Sequence, residues 1–302
     1  MKNVTLTDKE KLEKLINSAG LTQTEIARVL EVSYNTIHRW LTQGIKPHPA
    51  QSRHLDTLFK ETIDLTPHVI QIAKNMPNPI QKLHTNRELR EKFFLETTYN
   101  SNAIEGSRMT LKETEQALEN GEVKGRHFLE ILEAVNLRNA LVFMLDMIKP
   151  GFKITENYIL ELHKIVLYNF NHKLPGKYRT GYVNLTNTEV KLPSAQMVPI
   201  KMKKLLNNIN NYGTNPIKKI AADHYEFETI HPFFDGNGRI GRLLMNTQLL
   251  LNGFPPALIR IEDQYNYYLA LSKGDMGNIQ MMSQMVSESI LKGYQLISHI
   301  CL

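Results

Sequence analysis

One stretch, His231 to Gly253, constrains the fold of this 302-residue chain more than any other. Pro232, Gly236 and Gly238 keep residues 231–238 out of regular helix, because proline lacks an amide donor and glycine favours turns. From Arg239 onward, Ile240, Leu243, Leu244, Thr247, Leu250 and Leu251 recur at helical spacing until Gly253. A glycine-containing loop therefore feeds a helix N-terminus. The residues before it, His224 to Glu228, read as the end of another helix rather than as a strand.

The same period runs through most of the chain. Leu89 to about Asn102 is amphipathic, Thr110-x-x-Glu113 opens a further helix, and His127 to Ile148 is long and apolar. Thr155 starts a helix carrying Tyr158, Leu160, Leu162, Ile165 and Val166, and helices resume near Ile200 until the break at Gly253-Phe254-Pro255-Pro256. The one β signal is Gly181 to Leu185 and Glu189 to Leu192 around an Asn-containing turn, a hairpin pattern. The fold class is mainly α with one hairpin.

Upstream, Thr7 with Glu10 has capping-box spacing, and Gly20 ends that segment. Two short helices follow, over Gln23–Leu30 and Tyr34–Leu41, with Ile26, Val29 and Leu30 on one face and Ile37, Trp40 and Leu41 on another. Lys46-Pro47-His48-Pro49 closes the unit. The expected organisation is a small helical domain over 1–60, a connecting segment over 61–88 and a helical core over 89–302.

Composition narrows the classes. With 42% apolar and 22% charged residues the chain can bury a core. Cys301 is the only cysteine, which excludes an internal disulfide and argues for a reducing compartment. The opening run MKNVTLTDKEKLEKL has no apolar signal core, and no stretch of 18 apolar residues occurs. The expectation is a soluble, cytoplasmic protein with no membrane partner. The net charge of +6 is mild, and residues 1–60 carry nine Lys/Arg against six Asp/Glu, a modest pull toward an anionic partner.

Chemistry concentrates in His231-Pro232-Phe233-Phe234-Asp235-Gly236-Asn237-Gly238-Arg239-Ile240-Gly241-Arg242. Unpaired amides and the positive end of the helix dipole favour an anion such as phosphate, and Gly236 and Gly238 let the backbone approach it. Arg239 and Arg242, three apart, can hold phosphate oxygens bidentately. Asp235 offers a hard oxygen ligand of the kind Mg²⁺ takes, and His231 is a candidate general base. A solvated helix cap would seldom unite these features. Gly236-x-Gly238-x-x-Gly241, with Glu262 beyond, matches a dinucleotide-binding pattern, but that pattern needs a preceding strand and a βαβ unit, and no Gly-Lys-Ser/Thr makes it a P-loop.

This run resembles the signature of the Fic family, His-x-Phe-x-Asp/Glu-Gly-Asn-Gly-Arg-x-x-Arg, with every defining position filled. The resemblance spans roughly residues 90–300 and is supported by Pro175-Gly176-Lys177-Tyr178-Arg179. It implies an α-helical enzyme that transfers AMP from ATP to a Ser, Thr or Tyr hydroxyl of a target protein, itself included. By the same resemblance His231 deprotonates the hydroxyl, Phe233 anchors the loop and Asp235 binds Mg²⁺ at the α- and β-phosphates. Gly236, Asn237 and Gly238 form the anion nest, while Arg239 and Arg242 hold the β- and γ-phosphates. The hairpin, with Val190, Lys191 and Leu192, corresponds to a flap that pairs with an extended target segment, the alternative being a plain surface hairpin. The phosphorylating Doc branch has Lys where Gly238 stands, so the resemblance implies nucleotide transfer.

Two further resemblances complete the reading. Ser101-Asn102-Ala103-Ile104-Glu105-Gly106 is similar to the family's inhibitory motif, with Ser101 and Glu105 one helical turn apart on a helix over about 89–106. Gln23 to Trp40 resembles a helix-turn-helix in which Tyr34, Asn35, Thr36, His38 and Arg39 face DNA, with Glu31 where the turn often has glycine. Useful DNA affinity from so few positive charges would need a homodimer, and a packing module without DNA affinity is the alternative. Two functions compete with AMP transfer: a DNA-binding regulator whose core only senses a nucleotide, and an enzyme that removes AMP.

Overall fold

The computed structural model describes residues 6–76, 78–170, 174–184 and 191–299. Among them are fifteen α-helices. The first four are α1 (Asp8–Asn17), α2 (Gln23–Val29), α3 (Tyr34–Thr42) and α4 (Pro49–Thr62). Thr7 and Thr22 cap α1 and α2 with the reciprocal Glu10 and Glu25 bonds of a capping box. Leu12, Leu15, Ile26, Ala27, Ile37, Trp40, Leu55 and Phe59 form a core of their own. The prolines at 47 and 49 do not end the unit as expected. Pro49 occupies the first turn of α4, where a missing amide costs nothing, and α4 carries Leu55 and Phe59 back into that core.

Residues 61–88 are equally helical. α5 (Thr66–Ala73) and α6 (Pro79–Thr85) each begin with a proline in the first turn and lay Val69 and Leu83 into the main body. The α4 end is fastened to the body by Lys60–Glu288 at 3.2 Å and Lys273–Glu61 at 2.8 Å.

The body comprises α7 (Arg87–Ile104), α8 (Leu111–Asn120), α9 (Phe128–Met147), α10 (Glu156–Val166), α11 (Val198–Asn208), α12 (Pro216–Ile230), α13 (Asn237–Leu251), α14 (Gln264–Asp275) and α15 (Gln280–His299). Thirteen of the fifteen residues of α13 are buried, so it is the central helix, packed on every side. Phe93, Leu141, Tyr158, Leu162, Phe227 and Phe233 surround one flank, and Met245 and Leu249 meet α14 and α15 on the other. Helix α13 begins two residues earlier than the spacing suggests, which places Gly238 inside its first turn.

The expected hairpin is not seen. Among the described residues no strand forms, residues 181–184 and 191–194 being irregular, while 185–190, Val190 included, lie outside the described residues. The carbonyls that could start a ladder are otherwise engaged. Gly181 and Pro193 both accept from the Arg179 guanidinium, at 3.1 and 2.6 Å. No helix among the described residues is long and apolar enough to cross a membrane.

Candidate active site

Helix α12 ends at His231, whose φ of +48° puts a non-glycine residue in the left-handed region. Such strain costs on the order of 1–3 kcal/mol and persists only where surrounding structure enforces it. The enforcement is visible. Arg179, 2% exposed, donates from Nε to the His231 carbonyl at 2.8 Å, and its own amide donates to the Pro232 carbonyl at 2.8 Å. Phe233 is fully buried, with its ring stacked on His163 at a centroid distance of 3.7 Å. His163 accepts from the Gly176 amide at Nδ1, 2.8 Å away, so its proton sits on Nε2, which donates to the Asp235 carbonyl at 3.2 Å. Burial drives this imidazole down to about 4, fixing the neutral tautomer the two bonds require.

The rest of the loop is closed by Asn237. Its amide side chain accepts from the Phe233 amide at 2.8 Å and donates to the Phe233 carbonyl at 2.9 Å. Asn237 thus shapes the loop with its side chain and leaves the anion cradle to backbone amides. Gly236 precedes α13 at φ +78°, and no side chain caps the helix, so the first-turn amides keep their donors for another group.

The charged residues divide by partner. Asp235 remains more than half exposed; its Oδ1 accepts from the Gly236 amide at 2.5 Å and from Arg239 Nη2 at 3.1 Å. Arg239 is buried and also donates to Glu133 at 3.3 Å. Arg242, 4% exposed, turns the other way. Its Nε donates to Ser101 Oγ at 2.9 Å, and its Nη2 donates to the Ser101 carbonyl at 2.9 Å and to Glu105 Oε1 at 2.8 Å. Burial works against charge on Arg242, yet Glu105 beside it keeps its pKa raised.

Helix α7 brings Ser101 and Glu105 here. It stops at Ile104, and Gly106 at φ +101° turns the chain away directly after Glu105. Gln264 and Tyr268 hold the Ile104 carbonyl at 2.8 and 3.1 Å. The Glu105 carboxylate lies over the start of α13: a Cβ placed on Gly238 would stand 2.2 Å from Glu105 Oε1. A protein carboxylate therefore sits where the helix N-terminus would receive an anion.

Around His231, burial lowers the imidazole below its ordinary 6.5, with a backbone hydrogen bond to Glu228 opposing. Asp235 suits a hard cation, since its carboxylate faces solvent beside the anion cradle. Among the described residues no cluster of three or more acidic, His or Cys side chains could ligate a metal, so a cation there would take most ligands from phosphate and water.

The Fic/DOC family profile matches residues 153–249, which include the whole loop. The chain is 35% identical over 218 residues to the protein adenylyltransferase Fic of Nematostella vectensis, covering 69% of this chain and 49% of that protein. It is 32% identical over 206 residues to the protein adenylyltransferase fic-1 of Caenorhabditis elegans, covering 67% and 40%. This chain belongs to the Fic/DOC family. It spans half or less of the length of these curated relatives. A Fic-domain signaling protein from Bacteroides thetaiotaomicron superposes with a TM-score of 0.66 at 26% identity, over 77% of this chain and 95% of that one. Fic-1 from C. elegans, at a TM-score of 0.64 and 24% identity over 98% and 89% of the two chains, shares the fold.

Within this Fic fold, His231, Asp235, Gly236, Asn237, Gly238, Arg239 and Arg242 are joined by Ser101, Glu105 and Gly106, as their spacing suggests. Lys191 is exposed and Leu192 buried, on the flank held by Arg179. Tyr34, Asn35, Thr36, His38 and Arg39 lie on α3, and all but the half-buried Thr36 are exposed. Glu31 in the preceding turn does take the left-handed conformation, at φ +54°, that glycine would favour. Sequence reasoning passed over His163, Glu133, Glu228 and the carbonyl-binding role of Arg179. Of these only His163 carried a signal, as a histidine within the apolar stripe of α10.

Proposed function

We propose that this protein transfers AMP from ATP to a Ser, Thr or Tyr hydroxyl of a protein and that Glu105 restrains the transfer. The observation that carries the reading is the Glu105 carboxylate lying over Gly238 while paired to Arg242. It occupies the place of an anion and engages the guanidinium that would grip the γ-phosphate. ATP held without that grip sits with its α-phosphorus turned from attack, and misplacement by about 1 Å costs on the order of 10²-fold.

In the productive pose the hydroxyl oxygen attacks the α-phosphorus, the bond to the α,β-bridging oxygen breaks, and pyrophosphate leaves. His231 takes the hydroxyl proton, and its lowered pKa keeps it unprotonated for that role. First-turn amides at Asn237 and Gly238, with Arg239, hold the phosphates and offset developing charge, while Gly236 lets the backbone approach them. Asp235 would hold Mg²⁺, which supplies charge neutralisation at the phosphates. Arg179 pins Gly181 and Pro193 beside His231, so the segment between them, with Val190, Lys191 and Leu192, would present the target backbone to the base. A single cysteine in the chain favours a reducing, cytoplasmic setting.

Labelled ATP tests this. Wild type should be nearly silent on itself and on lysate proteins, and Glu105→Gly should label. Adding His231→Ala should abolish labelling while ATP binding persists. Equal silence of wild type and Glu105→Gly, with equal ATP binding, would defeat the reading.

A second reading concerns residues 1–60, in which Tyr34, Asn35, Thr36, His38 and Arg39 on α3 would contact DNA.

A further inference from the structure

Beneath Arg242 lies a buried polar layer that the chemistry above does not use. Three of its atoms are buried with no hydrogen-bond partner among the described residues: Glu228 Oε1, His224 Nδ1 and Arg242 Nη1. His224 Nε2 lies 3.0 Å from Tyr267 Oη, and the Arg242 guanidinium carbon lies 5.8 Å from the centre of the Tyr267 ring.

Gly241 makes room for this layer. Its backbone is ordinary helix, so no φ requirement explains a glycine there. A Cβ at 241 would stand 2.2 Å from Glu228 Oε1 and 3.2 Å from His224 Cε1. The missing side chain lets the Glu228 carboxyl press against the first turns of α13.

The two carboxyls near Arg242 differ in their freedom. Glu105 is 37% exposed at the mouth and can leave. Glu228 has its Oε1 shut off from solvent and cannot. A buried guanidinium left without a counter-charge is costly, so the departure of Glu105 demands another partner. Burial pushes Glu228 up to about 8; Arg242 opposes the rise and the Glu105 charge adds to it. Removing Glu105 therefore moves Glu228 toward the ionised form when Arg242 needs it.

We propose that Glu228 is a positioning residue for Arg242, supplying counter-charge from the layer beneath when Glu105 withdraws, so that the guanidinium stays presented to the terminal phosphate. The proposal rests on the reading of Arg242 as the γ-phosphate grip. Because ADP lacks that phosphate, a positioning role changes the preference for ATP over ADP, whereas a merely structural role weakens both.

Calorimetric titration with Mg-ATP and Mg-ADP, in the Glu105→Gly, His231→Ala background that binds ATP without transferring it, measures this without turnover. The parent should prefer ATP by about tenfold or more, as one further charge-assisted contact gives. Glu228→Gln should lose most of that preference with ADP affinity within about twofold. Gly241→Ala, which displaces the carboxyl without removing it, should do the same, and Arg242→Ala sets the floor. Retention of the ATP preference in both Glu228→Gln and Gly241→Ala overturns the proposal, as does a parallel loss of ATP and ADP binding. If Glu105→Gly prefers ATP no more than wild type does, the underlying reading of Glu105 and Arg242 falls, and that result needs neither variant.

Discussion

A base must keep its lone pair at working pH, and the surroundings of His231 act in that direction. Burial lowers its pKa, so the neutral imidazole persists below 6.5. In Glu105→Gly the loss of rate due to His231 should therefore fall on the acid side of 6.5, and any loss between pH 8 and 6.5 should belong to Glu228 and vanish in Glu228→Gln. A decline centred at or above 6.5 that persists in Glu228→Gln would contradict this. Arg179 makes a second residue-scale prediction. Its guanidinium satisfies the carbonyls of His231, Gly181 and Pro193 from a buried position. Arg179→Ala should cost about 2–4 kcal/mol in denaturant unfolding and silence transfer, because buried acceptors lose their donor. Arg179→Lys should not rescue it, since an ammonium cannot reproduce the planar fork. At this scale the sequence was legible where the candidate site is contiguous: the type and spacing of residues 231–242 mark a glycine loop entering a helix, and the structure has that loop. It was silent for Glu228 and for the carbonyl-binding role of Arg179, and marked His163 only as a histidine in an apolar stripe, because these contacts are to backbone atoms and side chains from other elements, often tens of residues away.

Helix α7 is the element on which the proposed restraint depends. It delivers three acceptors to one guanidinium: Ser101 Oγ, the Ser101 carbonyl and the Glu105 carboxylate. Only the last carries charge, and a charge-assisted bond is roughly twice as strong as a neutral one. The variants should rank accordingly in labelling assays. Glu105→Gly should be most active, by about 10²-fold over wild type. Glu105→Gln should fall between, keeping the shape without the charge, and Ser101→Ala should gain least. Adding Arg242→Ala to Glu105→Gly should restore silence, because the freed grip is gone. Most elements were readable from their ends: capping boxes at Thr7 and Thr110, and Thr155 before α10. Prolines misled where Pro47 and Pro49 were read as closing the first unit, since Pro49 sits in the first turn of α4. The hairpin is not seen among the described residues, where the buried Arg179 takes the carbonyls of Gly181 and Pro193, and its turn lies outside them.

At the scale of the molecule, the first four helices form a separate core fastened to the body through α4, where Lys60 meets Glu288 and Glu61 meets Lys273. The first three followed from periodicity and capping while α4 did not, and whether α3 reads DNA does not follow from its shape, which a packing module would share. Charge decides how it can be tested. Nine Lys/Arg against six Asp/Glu over residues 1–60 leave few cations for phosphates. With about two to three phosphates neutralised per unit, affinity should fall roughly 12- to 40-fold between 50 and 200 mM salt. Two units acting together would about double the logarithmic slope, so the slope itself reports whether a dimer binds. Arg39, exposed on α3, should account for about one unit of it. Arg39→Ala should therefore flatten the salt dependence in gel-shift titrations of promoter fragments, the one upstream of its own gene included. The substitution removes no buried contact, so the melting temperature should hold. A binding curve indifferent to salt, or no shift of any fragment at 50 mM, would assign residues 1–60 to packing alone.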